Sequence, residues 1–396
     1  MLRGRLKDFI RILGSGLAVN VSTFVVLALA PIALGTESFA TLTLVVAGTL
    51  FGVTLLDAGL YTTTIRQFAA TKDARIIGGA LRIRFSMLAV SATVALLAFS
   101  THDLVAFSIA ALCAGFLNVW NGLRSIDLAR EDHAAFARAN FAMSAARLAF
   151  GPLALLTGSW LWVSIALFVV PVLVVGAVRA RGLVRDLAVG RLRVLGALLG
   201  YSTPVYLSAL AYGACTYLPQ AIAAARLDDI AVGSLGVALM LATPLILANA
   251  ALRAMLLPRI SAGGRLSDEL GLRPGGKLIL AAVAIVLVLS GVVIGSQLVY
   301  GFRFPDIGLI SGAILMGYVA AIPFALASMT VHRIGRPGIE AIVNMARLLV
   351  TGPLLWFAAS SAVVLAATAA LLLLLGEIAL FLVVRRAAFP IRRQCR

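Results

Sequence analysis

Two stretches decide how the chain is read: ARLAFGPLALL at Ala146–Leu156 and ARLLVTGPLL at Ala346–Leu355. Each places an arginine inside an otherwise apolar run and follows it with Gly-Pro. An arginine well inside a hydrocarbon span costs at least ~2.5–3.5 kcal/mol and marks a candidate functional position. The prolines, Pro152 and Pro353, remove an amide donor and loosen the helix, so both are expected to be helix breaks. Two such helices at matching places in the two halves point to the central site of a transporter. A competing reading stays open at this point: Arg147 and Arg347 cap neighbouring helix ends or snorkel toward the headgroups.

Working outward, the 396 residues are 62% hydrophobic and 12% charged, with a mean hydropathy of +1.05. A soluble domain is about half apolar and about a quarter charged, so this chain has too little polar surface to cover itself. Apolar runs of about twenty residues recur from end to end, which implies an all-α integral membrane protein. The expected spans are 10–31, 39–60, 81–100, 103–123, 139–158, 160–178, 197–220, 231–257, 278–300, 306–329, 339–358 and 361–384, about twelve in all. The first run, Ile10–Pro31, follows basic residues but is too long for a signal-peptide core and reads as an uncleaved span.

The formal net charge of +17 raises nucleic acid as a partner. The basic residues, however, lie in short clusters between apolar runs, so no nucleic-acid partner is expected. Nearly all of the 33 basic residues fall in alternate connections: around Arg3–Arg11, Arg66–Arg84, Arg124–Arg138, Arg179–Arg193, Arg253–Lys277, Arg333–Arg336 and Arg385–Arg396. The opposite loops hold Arg226 and Arg303. Positive loops stay cytoplasmic, so both termini are expected there, with the basic clusters also touching membrane lipid. The opposite loops, such as Thr36–Ser38 and Ser360–Ser361, are mere turns. No GxxxxGK[ST] motif is present, so no nucleotide cofactor is expected.

The longest basic connection, Arg179–Arg193, divides the chain into 1–190 and 191–396, each with six spans. Arg147 and Arg347 are 200 residues apart, and both lie on the fifth span of their half. The halves therefore read as parallel six-helix bundles rather than an inverted repeat.

Arg147 and Arg347 lie roughly 12 Å past their entry points at ~1.5 Å per residue. A guanidinium there suits bidentate capture of phosphate. Asn118, Asn121, Asn140 and Asn344 add amides nearby, as cavity groups or as interhelical hydrogen bonds. Tyr201 and Tyr212, ~20° apart on one helix, face one side and could line a cavity; packing is the alternative reading. Pro204 in the same span is a third candidate helix break. The acids within spans are Asp57 and Glu377, both candidates for ion coupling; the alternatives are that Asp57 faces the membrane interface and that Glu377 pairs with a nearby arginine. The cysteines Cys113, Cys215 and Cys395 have no metal or disulfide spacing, and His102, His133 and His332 stand apart from other ligands, so no metal site is expected.

Several short motifs resemble the polysaccharide flippases of the multidrug/oligosaccharidyl-lipid/polysaccharide exporter superfamily. They are Leu13-Gly14-Ser15-Gly16, the turn Leu34–Phe39, and Leu56-Asp57-Ala58-Gly59-Leu60 before a Thr-rich segment and Arg66. In the second half they are Val232-Gly233-Ser234-Leu235 and Leu257-Pro258-Arg259-Ile260-Ser261. The resemblance implies two six-helix bundles around a central cavity that opens alternately to either side. It also implies a bacterial cytoplasmic-membrane flippase, not an enzyme, for polyprenyl-pyrophosphate-linked oligosaccharide or polysaccharide precursors such as those of lipopolysaccharide. Glycan polymerases or glycosyltransferases would then be its partners. The lipid II flippase branch typically has two more spans than this chain. A drug, cation or metabolite antiporter of the same fold is the alternative, although deep basic charges argue against it. A polyprenyl-dependent membrane glycosyltransferase or polymerase is a second alternative, and it lacks the facial acids or large loop such an enzyme needs.

Overall fold

The computed structural model describes residues 2–101, 104–189, 195–261, 276–328 and 337–394. Side chains of residues 2–10, 13, 62, 66, 69, 70, 195–202, 205, 247–261, 276–286, 326–328, 337 and 387–394 lie outside the description. So do His102, His332, Cys395 and the connection cations Arg191, Arg193, Arg265, Arg273, Arg333 and Arg336.

Apolar runs become helices because in hydrocarbon each amide must find its partner within its own segment. Among the described residues every regular element is a helix: α1 Leu2–Ala33, α2 Thr36–Asp57, α3 Leu60–Thr71, α4 Ala74–Phe99, α5 Val105–Ala129, α6 His133–Leu155 and α7 Trp160–Phe168. There follow α8 Val170–Val189, α9 Leu195–Arg226, α10 Asp229–Ser261, α11 Gly276–Tyr300, α12 Ile307–Ser328, α13 Pro337–Ala358 and α14 Ala362–Gln394. Each expected span has its helix, and the sixth is divided into α7 and α8. Nine candidate spans among the described residues are long and apolar enough to cross a membrane.

Short polar residues set the helix starts. The carboxylates of Asp73, Asp132 and Asp228 accept from the amides of Arg75, Ala135 and Ala231, each at 2.9 Å. These bonds satisfy orphan donors at the first turns of α4, α6 and α10. Hydroxyls within spans turn back onto their own helix, as Thr54 does to the Leu50 carbonyl at 3.2 Å, because lipid offers no other acceptor.

The prolines expected to break helices do not. α6 continues through Pro152, α13 through Pro353 and α9 through Pro204. A membrane helix tolerates proline where neighbouring groups take up the freed carbonyl. The interruption in the first half lies elsewhere, at Ala58 and Gly59, both left-handed (φ 47° and 73°). They separate α2 from the short polar helix α3.

The chain forms two compact units, Met1–Tyr206 and Leu207–Arg396, with the division inside α9. In the first, α1 packs on α6, and α5 lies against α2, α3 and α4. In the second, α12 packs on α10, α11 and α14, and α13 lies against α14.

Candidate functional site

In the first unit, Arg147 is 4% exposed and turned into the helix bundle. Its Nε donates to the Leu167 carbonyl at 2.9 Å. Its Nη1 donates to the Val19 carbonyl at 3.1 Å and to Thr23 Oγ1 at 2.6 Å. The guanidinium carbon also sits 6.0 Å from the Phe168 ring centre. The Leu167 carbonyl is free for a covalent reason: the residue four positions on is Pro171, which has no amide hydrogen to offer it. Pro171 thus creates the acceptor that the arginine occupies. Arg147 reads as an anchor of α6 to α1 and α7.

Arg347 holds the corresponding place in the second unit. Its Nη1 faces Glu377 Oε1 on α14 at 3.5 Å, at the outer limit of a hydrogen bond. Its guanidinium lies 5.3 Å from the centre of the Tyr212 ring on α9. Its Nε has no hydrogen-bond partner among the described residues. A Cβ at Gly376 would stand 2.5 Å from Arg347 Cδ, so only glycine there lets the side chain cross α14. Beside the pair is a hollow of about 30 Å³, lined by Thr216, Tyr318, Arg347 and Thr351 among others. That is room for a water or two.

A further internal contact recurs in each unit. Asn140 on α6 donates to Ser15 on α1 at 3.0 Å, and Asn344 on α13 donates to Ser208 on α9 at 2.9 Å. In each unit, therefore, the fifth span reaches the first through an asparagine–serine bond and through its arginine.

Asp57 and Asn118 come together around Arg84, a member of the basic cluster Arg66–Arg84. Arg84 on α4 is fully buried. Its Nη2 donates to Asp57 Oδ1 at 2.6 Å, and its Nη1 donates to the carbonyl and Oδ1 of Asn118 at 2.8 and 2.5 Å. Asp57 also accepts from the Tyr61 amide at 3.3 Å, which caps α3 after the left-handed pair. A Cβ at Gly122 would stand 2.5 Å from Arg84 Cδ, as at Gly376 with Arg347. Asp57 is therefore tied into a charge-assisted cluster. The signal for Arg84 lay in the sequence: α4 begins at Ala74, about two turns before the expected span, which carries Arg84 into the bundle.

Of the tyrosines, Tyr212 stands on Arg347 as described. Tyr206 donates to the Leu55 carbonyl at 3.0 Å. The Tyr201 side chain lies outside the described residues. Among the described residues no group of three or more potential metal ligands occurs.

No family model and no curated protein matches the chain. Solved structures do. The inward-facing conformation of a multidrug resistance MATE family transporter of the MOP superfamily aligns over 97% of this chain and 96% of that chain, with a TM-score of 0.71 and 16% identity. A MATE structure in complex with MaD3S aligns over 98% and 97%, with a TM-score of 0.66 and 16% identity. A MOP superfamily transporter from Pyrococcus furiosus Vc1 (DSM3638), described by a reverse polarity of its binding pocket that suggests a different function, aligns over 98% and 96%, with a TM-score of 0.63 and 17% identity. At these identities the likeness is one of fold: a multi-pass, all-helical membrane fold shared with MATE transporters.

Proposed function

We propose that the protein is a secondary transporter that moves a lipid-linked oligosaccharide or polysaccharide precursor from the cytoplasmic to the outer leaflet by alternating access. The observation that carries this reading is Arg347. It is a nearly buried guanidinium whose carboxylate partner stands at 3.5 Å, beside a hollow and against an aromatic ring. Such an arginine can exchange Glu377 for the phosphate of a polyprenyl-pyrophosphate, whereas Arg147 is held by carbonyls that cannot leave. When phosphate takes Arg347, Glu377 loses this partner and becomes the candidate ion-coupling acid of the cycle. Both termini and the basic clusters would face the cytoplasm of a bacterial inner membrane.

The test is glycan export in cells carrying Arg347→Ala or Arg347→Lys. Alanine should reduce export about tenfold or more at unchanged abundance, the loss expected for one charge-assisted contact. Lysine should restore part of it, because it keeps the charge without the planar fork. Normal export in the alanine variant would sink the proposal.

A drug or cation antiporter is the second reading, favoured by the likeness to a multidrug resistance MATE transporter. The reverse-polarity pocket of the Pyrococcus furiosus protein is a precedent for this fold serving another purpose. Sensitivity to cationic drugs after deletion of the protein, with glycan export intact, would favour the antiporter.

A further inference from the structure

A second cavity, of about 180 Å³, lies in the first unit where the ends of α5 and α8 meet. Its walls are of two kinds. Leu123 and Val178 are apolar, and Val178 is 80% exposed, so the cleft opens sideways toward lipid. Asp127, Arg130, Arg179 and Asp186 are charged and joined in two pairs across the helices. Arg130 grips Asp186 with two bonds of 3.0 and 2.6 Å, and Arg179 donates to Asp127 Oδ1 at 2.5 Å. The depth fits a membrane boundary. Asp127 lies about 33 Å along α5 and Arg179 about 28 Å past the start of α7 at ~1.5 Å per residue, against a hydrocarbon core of ≈ 30 Å.

The pairs leave one group unserved. Asp127 is 4% exposed, and its Oδ2 has no hydrogen-bond partner among the described residues. A buried carboxylate oxygen without a donor is costly. An ammonium N–H would both satisfy it and balance the carboxylate charge, which water does not. The two partly exposed guanidiniums beside it, Arg130 at 34% and Arg179 at 22% side-chain exposure, suit a phosphate. With two positive and two negative side chains, the cluster has no net charge to favour a purely anionic headgroup.

We propose that this cleft holds a zwitterionic phospholipid of the ethanolamine class. Its ammonium donates to Asp127, its phosphate rests on Arg130 and Arg179, and its acyl chains leave past Val178. Choline cannot replace ethanolamine here because its nitrogen has no hydrogen to donate. Glycerol headgroups bring the phosphate without the cation.

The experiment uses the purified full-length protein in neutral detergent. Phosphatidylethanolamine, phosphatidylcholine and phosphatidylglycerol of equal chain length are titrated, and bound lipid is read by native mass spectrometry. The wild type should retain the ethanolamine lipid about tenfold better than the choline lipid, as one charge-assisted hydrogen bond implies. Asp127→Asn should erase that preference. Should this variant fail to fold, Gly182→Leu decides the matter. Gly182 lines the cavity, and a Cβ there meets nothing within 4 Å, so a leucine side chain has open space to enter the cleft. Loss of the preference in Gly182→Leu supports the site. Indifference to headgroup in the wild type, meaning that water serves the carboxylate, overturns it. So does a preference for the glycerol lipid, or an ethanolamine preference that survives Gly182→Leu.

Discussion

Arg147 and Arg347 begin from the same local sequence and end in different chemistry. Each projects from the fifth span of its unit toward the first and sixth. In the first unit the sixth span offers Arg147 a backbone carbonyl, Leu167, set free by Pro171. In the second it offers Arg347 a carboxylate, Glu377. A carbonyl can neither take up a proton nor swing away, so the first arrangement is fixed. A carboxylate at 3.5 Å can do both, and the proposed function rests on this second arrangement. The repeated sequence motif places an arginine in each bundle; the partner on the neighbouring helix decides whether it anchors or responds.

The largest effect is therefore expected at Arg147. Arg147→Ala strands the Leu167 carbonyl, at about 1–3 kcal/mol for an unsatisfied buried group, and adds the cost of the cavity. Abundance in the membrane should fall severalfold, in contrast to Arg347→Ala. Adding Pro171→Ala restores an amide that can bond the Leu167 carbonyl within the helix. The double variant should recover part of the lost abundance, measured by quantitative blotting and thermal unfolding in detergent. A Pro171→Ala change that gives no recovery would show that the carbonyl is not what Arg147 serves.

How much of this was legible follows from the physics of each feature. Helix positions were readable because a span needs a long apolar run, and the runs are bounded alternately by basic clusters and by short polar turns. The two arginines were readable because charge inside such a run is rare. Arg84 was not, because Arg75, Arg82 and Arg84 follow one another closely at the start of its run and resemble a loop cluster. The short helix α3 was hidden for the same reason: its Thr-rich sequence lacks the apolar signal that marks a span. Asp57 and Glu377 are visible as acids within spans; pairing with an arginine is an open reading for Glu377, whereas for Asp57 the alternative is a place at the interface, and its bond to Arg84 is new with the structure. Which arginine, and at what distance, depends on how helices pack. Pro171 was visible in the sequence, but its meaning required knowing which side chain faces the carbonyl four residues earlier.

The glycines that admit the two paired arginines sharpen the comparison at the next level. Gly122→Ala drives a methyl into Arg84, which is fully buried and fixed to Asp57 and Asn118. Overpacking there should cost about 1–3 kcal/mol and lower the unfolding temperature. Gly376→Ala makes the same approach to Arg347, which has the hollow beside it and a looser partner. That variant should lose less stability and more transport. Equal thermal losses in the two would mean that the second site is as rigid as the first.

A smaller effect on the fold, but one on coupling, is expected from Glu377→Gln. The amide still accepts a hydrogen bond from Arg347 and keeps the volume, so abundance should hold. It cannot take up a proton, so transport by reconstituted protein should lose its response to an imposed pH gradient. Asp57→Asn, by contrast, weakens a tight structural pair and should lower stability while leaving the gradient response in place. If Glu377→Gln keeps the full response, the carboxylate is a structural partner like the Leu167 carbonyl, and the two units differ less than the geometry suggests.

The smallest effects concern the two prolines of the repeated stretch. Since α6 and α13 run through Pro152 and Pro353 without interruption, neither proline is needed to end a helix. Alanine at either place regains an amide bond to the carbonyl four residues earlier but relaxes the unfolded chain. Stability should stay within about 1 kcal/mol of the original in both. The units should still differ in function. Pro152 lies in the last turn of α6, five residues beyond an arginine that is locked to carbonyls. Pro353 lies two residues past Thr351, whose hydroxyl is buried beside the hollow. If the second unit responds during the cycle, a stiffer α13 should slow transport about twofold to tenfold in Pro353→Ala, while Pro152→Ala leaves it unchanged, an effect of roughly 0.4–1.4 kcal/mol. Initial rates in proteoliposomes at matched protein content measure this. Equal rates for the two variants would show that Pro353 has no part in the motion and would confine the responsive element to Arg347, Glu377 and the hollow beside them.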